Sequence, residues 1–167
     1  DTGERISSVV LMGSGEPLDN YENVLRFICL ANDKNGLCLG QRHITLSTCG
    51  LVEKIYDLLE QDLQITLAVS LHAPNDAIRQ KIMPIAKKYK MQEILQACKE
   101  YSDKTKRRVT LEYALIQDIN DSDACAEELA SKLHHMLCHV NLIPVNDVKE
   151  RNYRKSSEER VQKFASL

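Results

Sequence analysis

Five times in succession along this chain an apolar, strand-like run gives way to a stretch with apolar residues at helical spacing, and that alternation limits the possible folds more than any other feature. The first unit pairs a strand over Ser8 to Met12 with a helix from about Tyr21 to Asp33, where Val24, Phe27, Ile28 and Ala31 share a face. Arg42 to Thr48 and Leu51 to Glu60 form the second, with Val52, Ile55, Leu58 and Leu59 as the helix stripe. Gln64 to Leu71 is nearly continuous in apolar residues, as a strand covered on both faces would be. It leads through His72-Ala73-Pro74-Asn75-Asp76 into helical segments, the clearer one carrying Met91, Ile94, Leu95, Cys98 and Tyr101. The fourth strand is Arg108 to Ile116. After the turn Asp118 to Asp121 comes a helix with Leu129, Leu133 and Met136, capped by Asn120, Asp121 or Ser122. His139 to Pro144, a polar loop from Val145 to Lys155 and a helix starting near Ser156 or Ser157 complete the series.

Repeated strand-helix units imply parallel strands joined by right-handed crossovers, with the helices outside. A closed eight-stranded barrel needs more than 167 residues, which leaves an open barrel arc or a doubly wound sheet. With 43% hydrophobic residues the chain can build a core, and residues 1–167 read as one unit. A net charge of -2 excludes a basic nucleic-acid tail and an acidic solvating segment. No apolar run is long enough to span a bilayer, and Asp1 to Arg5 do not read as a signal peptide; the expectation is a cytoplasmic protein without a membrane partner. The six cysteines are scattered, with neither a metal spacing nor a secreted disulfide pattern, and most read as small buried hydrophobes. Because the chain starts without Met and stops inside the helical-looking segment from Ser157 to Phe164, it reads as a piece of something longer.

Ligands of open α/β sheets and barrels bind at the carboxyl ends of the strands, and here those ends are polar. The first runs into Gly13-Ser14-Gly15-Glu16-Pro17, where the glycines permit backbone angles closed to other residues and close approach of a second molecule. Pro17 biases Glu16 to an extended conformation, which is expected to aim its carboxylate away from the following helix. The second strand ends in Ser47-Thr48-Cys49-Gly50, the third in Ser70-Leu71-His72 and the fifth in Pro144-Val145-Asn146, while the fourth carries Glu112 with Asp118 beyond it. Each has an ordinary alternative: a glycine turn is a common connector, Ser47 and Ser70 bond locally elsewhere, and His72 and Asn146 suit a strand end and a loop. Their recurrence at successive strand ends favours a ligand site.

The segments Met12 to Leu18, Arg42 to Gly50, Ala68 to Asp76 and Asn141 to Asn146 resemble, in order and spacing, the radical S-adenosylmethionine RNA methyltransferases that modify carbon 2 of adenine. The resemblance covers nearly the whole chain. It implies a partial (β/α) barrel of six units, of which this chain supplies the second to the sixth. It also implies that Gly15 and Glu16 hold the amino end of S-adenosylmethionine, with the carboxylate as partner of the ammonium group. Ser47, Ser70, Leu71, His72 and Asn146 match cofactor-contacting positions of the family, and Cys49 is assigned no chemistry. The implied substrate is ribosomal RNA, with transfer RNA as a second candidate.

The family also holds a 4Fe-4S cluster on three closely spaced cysteines and uses a further cysteine as methyl carrier. Neither is found in this sequence, so the cluster ligands and the catalytic cysteine are expected outside the chain, which alone should not turn over. Lys104 to Arg108 reads as a solvated helix end away from the site, whereas Lys149, Arg151, Arg154 and Lys155 follow the fifth strand and suit phosphate contacts. Two other readings are a different radical reaction on the same barrel, and a degenerate module that binds RNA or a nucleotide without catalysis. Uncovered strand edges are expected to promote association between copies.

Overall fold

The computed structural model describes residues 3–147 and 149–167, the Lys149 side chain excepted. Its strands are β1 (Val9–Leu11), β2 (Ile44–Thr48), β3 (Thr66–Ser70), β4 (Val109–Leu115) and β5 (Cys138–Pro144). Between and after them run α1 (Tyr21–Asn32), α2 (Val52–Leu59), α3 (Asp76–Ile82), α4 (Met91–Thr105), α5 (Asp123–Leu133) and α6 (Glu158–Ser166). All neighbouring strands are parallel, and their spatial order is their sequence order. A doubly wound sheet reverses its strand order at a switch point, and this one does not. The fold is therefore an arc of (β/α) barrel, with five strand-helix units.

Register divides every strand between two faces. Leu46, Leu67, Val69, Leu111, Tyr113 and Leu115 join the main core together with Ile28, Ile55, Leu58, Ile94, Cys98, Tyr101, Leu129 and Phe164 from the helices. Alternate positions make the opposite face, where paired residues read Thr45 with Thr66, Ser47 with Ala68, Ala68 with Thr110, Ser70 with Glu112 and Glu112 with Asn141. Ala68 is buried yet stands apart from the main core cluster. Strand β3 thus has one apolar, helix-covered face and one small, polar face, which corrects the expectation of an apolar strand covered on both sides.

Three other expectations change in detail. Phe27 stands on the shoulder of the α1 stripe and is exposed, because the buried line runs through Ile28 and Ala31 with Val24 half-buried. Met136 lies beyond α5, since His134 leaves helical angles (φ -56°, ψ 130°) and His135 turns left-handed (φ 65°). Ser122, whose hydroxyl accepts from Cys125 N–H at 3.2 Å, caps α5, while Asn120 is wholly buried in another role. At the amino side of the sheet Arg107 donates to Ile65 O and Thr66 Oγ1, and Lys104 pairs with Glu60, so the basic stretch is occupied away from the strand ends. Among the described residues, no helix is long and apolar enough to cross a membrane.

Candidate cofactor site at the strand ends

Strand β1 opens into the glycine turn with φ of 40° at Gly13 and 120° at Gly15, conformations that strain any side-chain-bearing residue. Nothing lies within 4 Å of where a Cβ would project from either, so conformation demands these glycines and space before them stays open. Glu16 is extended (φ -112°, ψ 110°), as Pro17 requires. Its carboxylate nevertheless does not turn away from the helical turn after it. Oε1 accepts from Leu18 N–H at 3.0 Å, capping the short 3-10 helix Pro17–Asn20, and Oε2 accepts from Cys49 N–H at 2.6 Å. The reason is local: Pro17 has no N–H, Leu18 N–H is unserved within its turn, and an extended Glu16 places its side chain beside it. A carboxylate has about four lone-pair positions. Two N–H donors leave Glu16 able to accept from a ligand ammonium.

At the end of β2, Ser47 is buried on the polar face and Cys49 is half-buried. Burial first, and then the neighbouring Glu16 carboxylate, push the Cys49 thiol up to about 12, so it stays protonated and is a poor nucleophile. Its main chain is what serves the site: N–H to Glu16, and C=O accepting from Arg79 at 2.8 Å.

Strand β3 contributes Ser70, half-buried on the polar face, and Leu71, whose side chain is turned into the core. Leu71 N–H donates to Glu112 O at 3.0 Å and its C=O accepts from Arg79 Nε at 3.2 Å, so any contact it offers comes from main-chain atoms. His72 has a left-handed backbone (φ 57°), unusual away from glycine. Three bonds impose it. Its N–H donates to Glu112 O (3.1 Å), its C=O accepts from Asn120 Nδ2 (2.7 Å), and its ring Nδ1 accepts from Ala114 N–H (3.0 Å). A backbone N–H can only donate, so the neutral ring carries its proton on Nε2 and presents a donor there. Burial, with the charge of Arg79 second, lowers the His72 pKa to about 4 and keeps the ring neutral at physiological pH.

Strand β4 places Glu112 on the polar face between Ser70 and Asn141, and Asn141 Nδ2 donates to its Oε2 at 2.7 Å. Asn146 is exposed just past β5, at the same end of the sheet. Asp118 is exposed with a left-handed backbone; its Oδ2 accepts from Gln117 Nε2 at 3.1 Å and its N–H donates to Asp121 Oδ1 at 3.0 Å. The strand ends thus gather carboxylate acceptors, hydroxyls that donate or accept, an imidazole donor and an amide, beside an open glycine turn. Such a set suits a ligand that carries an ammonium group together with hydroxyls and heterocyclic edges.

Residues 2–129 match the Radical SAM superfamily. The chain belongs to this superfamily. Membership implies S-adenosylmethionine and a 4Fe-4S cluster for the family in general. The residues of this radical SAM chain fit the first: Glu16, His72 and the hydroxyls of Ser47 and Ser70 offer the acceptors and donors that its ammonium, ribose and adenine groups need. They do not fit the second, because among the described residues no group of three or more His, Cys, Asp and Glu is arranged to hold a metal.

Over 167 residues the chain is 59% identical to the probable dual-specificity RNA methyltransferase RlmN of Clostridium tetani, matching all of this chain and 48% of that protein. A protein of the same description from Clostridium botulinum, strain Eklund 17B, is 61% identical over 165 residues, again across 48% of its length. The chain spans about half the length of the curated relatives it matches. The crystal structure of a radical SAM methyltransferase from Sphaerobacter thermophilus superimposes with a TM-score of 0.94 at 45% identity, covering 98% of this chain and 48% of that one. A domain of pyruvate-formate lyase-activating enzyme from Bacteroides vulgatus shares the fold at TM-score 0.72 and 17% identity, covering 96% of this chain and 92% of that one.

Sequence reasoning missed Arg79 and Asn120, the two buried side chains that hold the strand ends. Asn120 is satisfied on every side: Nδ2 donates to His72 O and Ala114 O, and Oδ1 accepts from Ile116 N–H, all at 2.7 Å. Its available signal was an amide in a turn directly after a strand, which equally suits a cap. For Arg79 the signal was a charged residue one helical turn after the capping Asn75, whose Oδ1 accepts from Ile78 N–H at 3.0 Å. The polar face itself was legible as period-two alternation in Thr45-Leu46-Ser47, Thr66-Leu67-Ala68 and Thr110-Leu111-Glu112.

Proposed function

We propose that this chain is the S-adenosylmethionine-binding core of a radical SAM methyltransferase that methylates carbon 2 of an adenine in ribosomal RNA, with transfer RNA as a second substrate. The observation that carries the reading is the Glu16 carboxylate, fixed by two N–H donors beside an open glycine turn. Gly15 and Glu16 receive the amino end of the cofactor, and Glu16 accepts hydrogen bonds from its ammonium group. Ser47, Ser70 and the main chain at Leu71 line the middle of the ligand. His72 Nε2–H and Asn146 serve as polar contacts for ribose or adenine. Bound there, S-adenosylmethionine supplies the methyl group and the radical chemistry of the superfamily. In this reading the chain supplies the barrel core of a longer cytoplasmic protein, with the cluster ligands and the methyl-carrying cysteine elsewhere in it.

The RNA assignment draws its support from relatives described as dual-specificity RNA methyltransferases. Arg151, Arg154 and Lys155 follow β5 and are exposed, suiting them to phosphate contacts; the Lys149 side chain, proposed with them from sequence, lies outside the described residues. Their loop is moored at the strand ends by Gln117 N–H to Arg154 O at 3.0 Å and by Lys155 N–H to Asp147 Oδ1 at 2.9 Å.

The test is mass spectrometry of digested ribosomal and transfer RNA after incubation with the whole protein and S-adenosylmethionine. The reading requires 2-methyladenosine to appear with the whole protein and not with the 167-residue chain alone. A methylated product at any other position refutes the carbon 2 assignment, and turnover by the chain alone refutes its role as a core that needs outside ligands.

A further inference from the structure

Arg79 is a buried cation bonded to main-chain carbonyls rather than to a carboxylate. Its side chain is fully buried, and among the described residues none of the ion pairs includes it. Asp76 acts on it only through space, and burying a guanidinium without a directly paired carboxylate is costly, so its position calls for bonds that an apolar side chain cannot supply. Nε donates to Leu71 O at 3.2 Å, and one terminal nitrogen donates both to Cys49 O at 2.8 Å and to Ser70 O at 3.2 Å. The other terminal nitrogen, also buried, has no acceptor among the described residues.

All three carbonyls stand at the carboxyl ends of β2 and β3. The last paired residues of these strands are Thr48 and Val69. Beyond them the β2–β3 pairing ends, Cys49 leading to Gly50 (φ 98°) and Leu71 to the left-handed His72. The Arg79 fork bridges the two ends just past the point where the ladder stops. Cys49 N–H holds Glu16, and Leu71 leads directly into His72, so the fork bears on two groups that the proposed function assigns to one ligand. Helix α3 is itself fixed, by the Asn75 cap at its start and by Asp76 Oδ1 accepting from Met91 N–H at 2.7 Å.

We propose that Arg79 is a positioning residue of the cofactor site, its planar fork holding the ends of β2 and β3 at the separation that lets Glu16 and His72 serve the same ligand. The proposal rests on the reading of this site as the S-adenosylmethionine pocket. A lysine would keep the charge but, as a flexible point donor, would not span three carbonyls.

Calorimetry with S-adenosylmethionine on the whole protein tests it, using Arg79→Met, Arg79→Lys and, as a control for lost stability, Leu129→Ala in α5. Arg79→Met should weaken binding about tenfold or more and Arg79→Lys by a smaller factor, because hydrogen bonds from a charged donor are lost. Leu129→Ala, although destabilised, should bind within about twofold of the unsubstituted protein. Unchanged affinity in Arg79→Met, or an equal loss in Leu129→Ala, overturns the proposal. If Arg79→Met does not fold, Arg79→Lys decides: a loss of about threefold or more supports the proposal and unchanged affinity overturns it. Should the unsubstituted protein bind no S-adenosylmethionine, the proposed function falls instead. Amide hydrogen exchange at Cys49 then decides the clamp: exchange about tenfold faster in Arg79→Lys supports it, and equal exchange overturns it.

Discussion

The two faces of the sheet are made from alternate residues of the same strands, yet they are held by different physics. On the helix side Leu46, Leu67, Val69 and Leu111 are fully buried among apolar helix residues, and removal from water stabilises them without direction. On the concave side Ser47, Ser70, Glu112 and Asn141 are held by individual bonds or left partly open, and their contribution lies in where their polar atoms stand. The helix face is held by filled volume and close packing rather than by directed bonds. The concave face is specified atom by atom. A sheet built this way separates apolar packing from the display of polar groups at a spacing of one residue.

Substitutions should respect that separation. Leu67→Ala, at the centre of the helix face, should cost about 2–5 kcal/mol in urea unfolding, and a loss below about 1 kcal/mol would mean the core is not where the register puts it. Acid is the next largest perturbation, acting on the boundary between the faces. The His72 pKa is depressed from 6.5 to about 4, so the folded state takes up this proton later than the unfolded chain. Stability linked to this group is intact above about pH 6.5 and declines as the pH falls towards 4, by about 2 kcal/mol. A His72→Gln variant should lose that share of the acid sensitivity, and identical stability-pH curves for the two proteins would contradict a buried neutral ring.

Smaller effects belong to the concave face. Glu16→Gln keeps an acceptor for one N–H donor but removes the charge facing a ligand ammonium; calorimetry on the whole protein should show S-adenosylmethionine affinity about tenfold lower with little change in the unfolding midpoint. Equal affinity would end the ammonium assignment. Thr110→Val, half-buried in the middle of the concave face, should change stability by no more than about 0.5 kcal/mol, against the much larger cost at neighbouring Leu111. The edge of β1 offers the last comparison. Val10 and Met12 are 55% and 52% exposed there, and sedimentation of the isolated chain should show association that Val10→Lys weakens.

Order and type of the elements were legible because each strand-helix unit carries its own periodicity: Val52, Ile55, Leu58 and Leu59 mark α2 without reference to the rest of the molecule. The strand ends were legible in the same way, since a glycine turn or a Ser-Leu-His run is a local signal. What sequence left hidden depends on partners far along the chain. Asn120 bonds the main chain of His72 from 48 residues away, and Arg79 reaches Cys49 across 30. Neither side chain belongs to a period, and each resembles an ordinary turn or helix residue until the fold brings the strand ends together. The direction of the Glu16 carboxylate failed for a related reason: Pro17 fixes the backbone of its neighbour, but Cys49 N–H, 33 residues later, supplies the second bond that holds the side chain.

A free glutamate side chain samples many rotamers, and freezing them costs roughly 1.5–2 kcal/mol. Leu18 and Cys49 hold the side chain of Glu16 in place before any ligand arrives. That ordering is already complete in the folded chain, so a cation entering beside Gly15 meets an immobile anion and the cost of arranging it is not charged against its affinity.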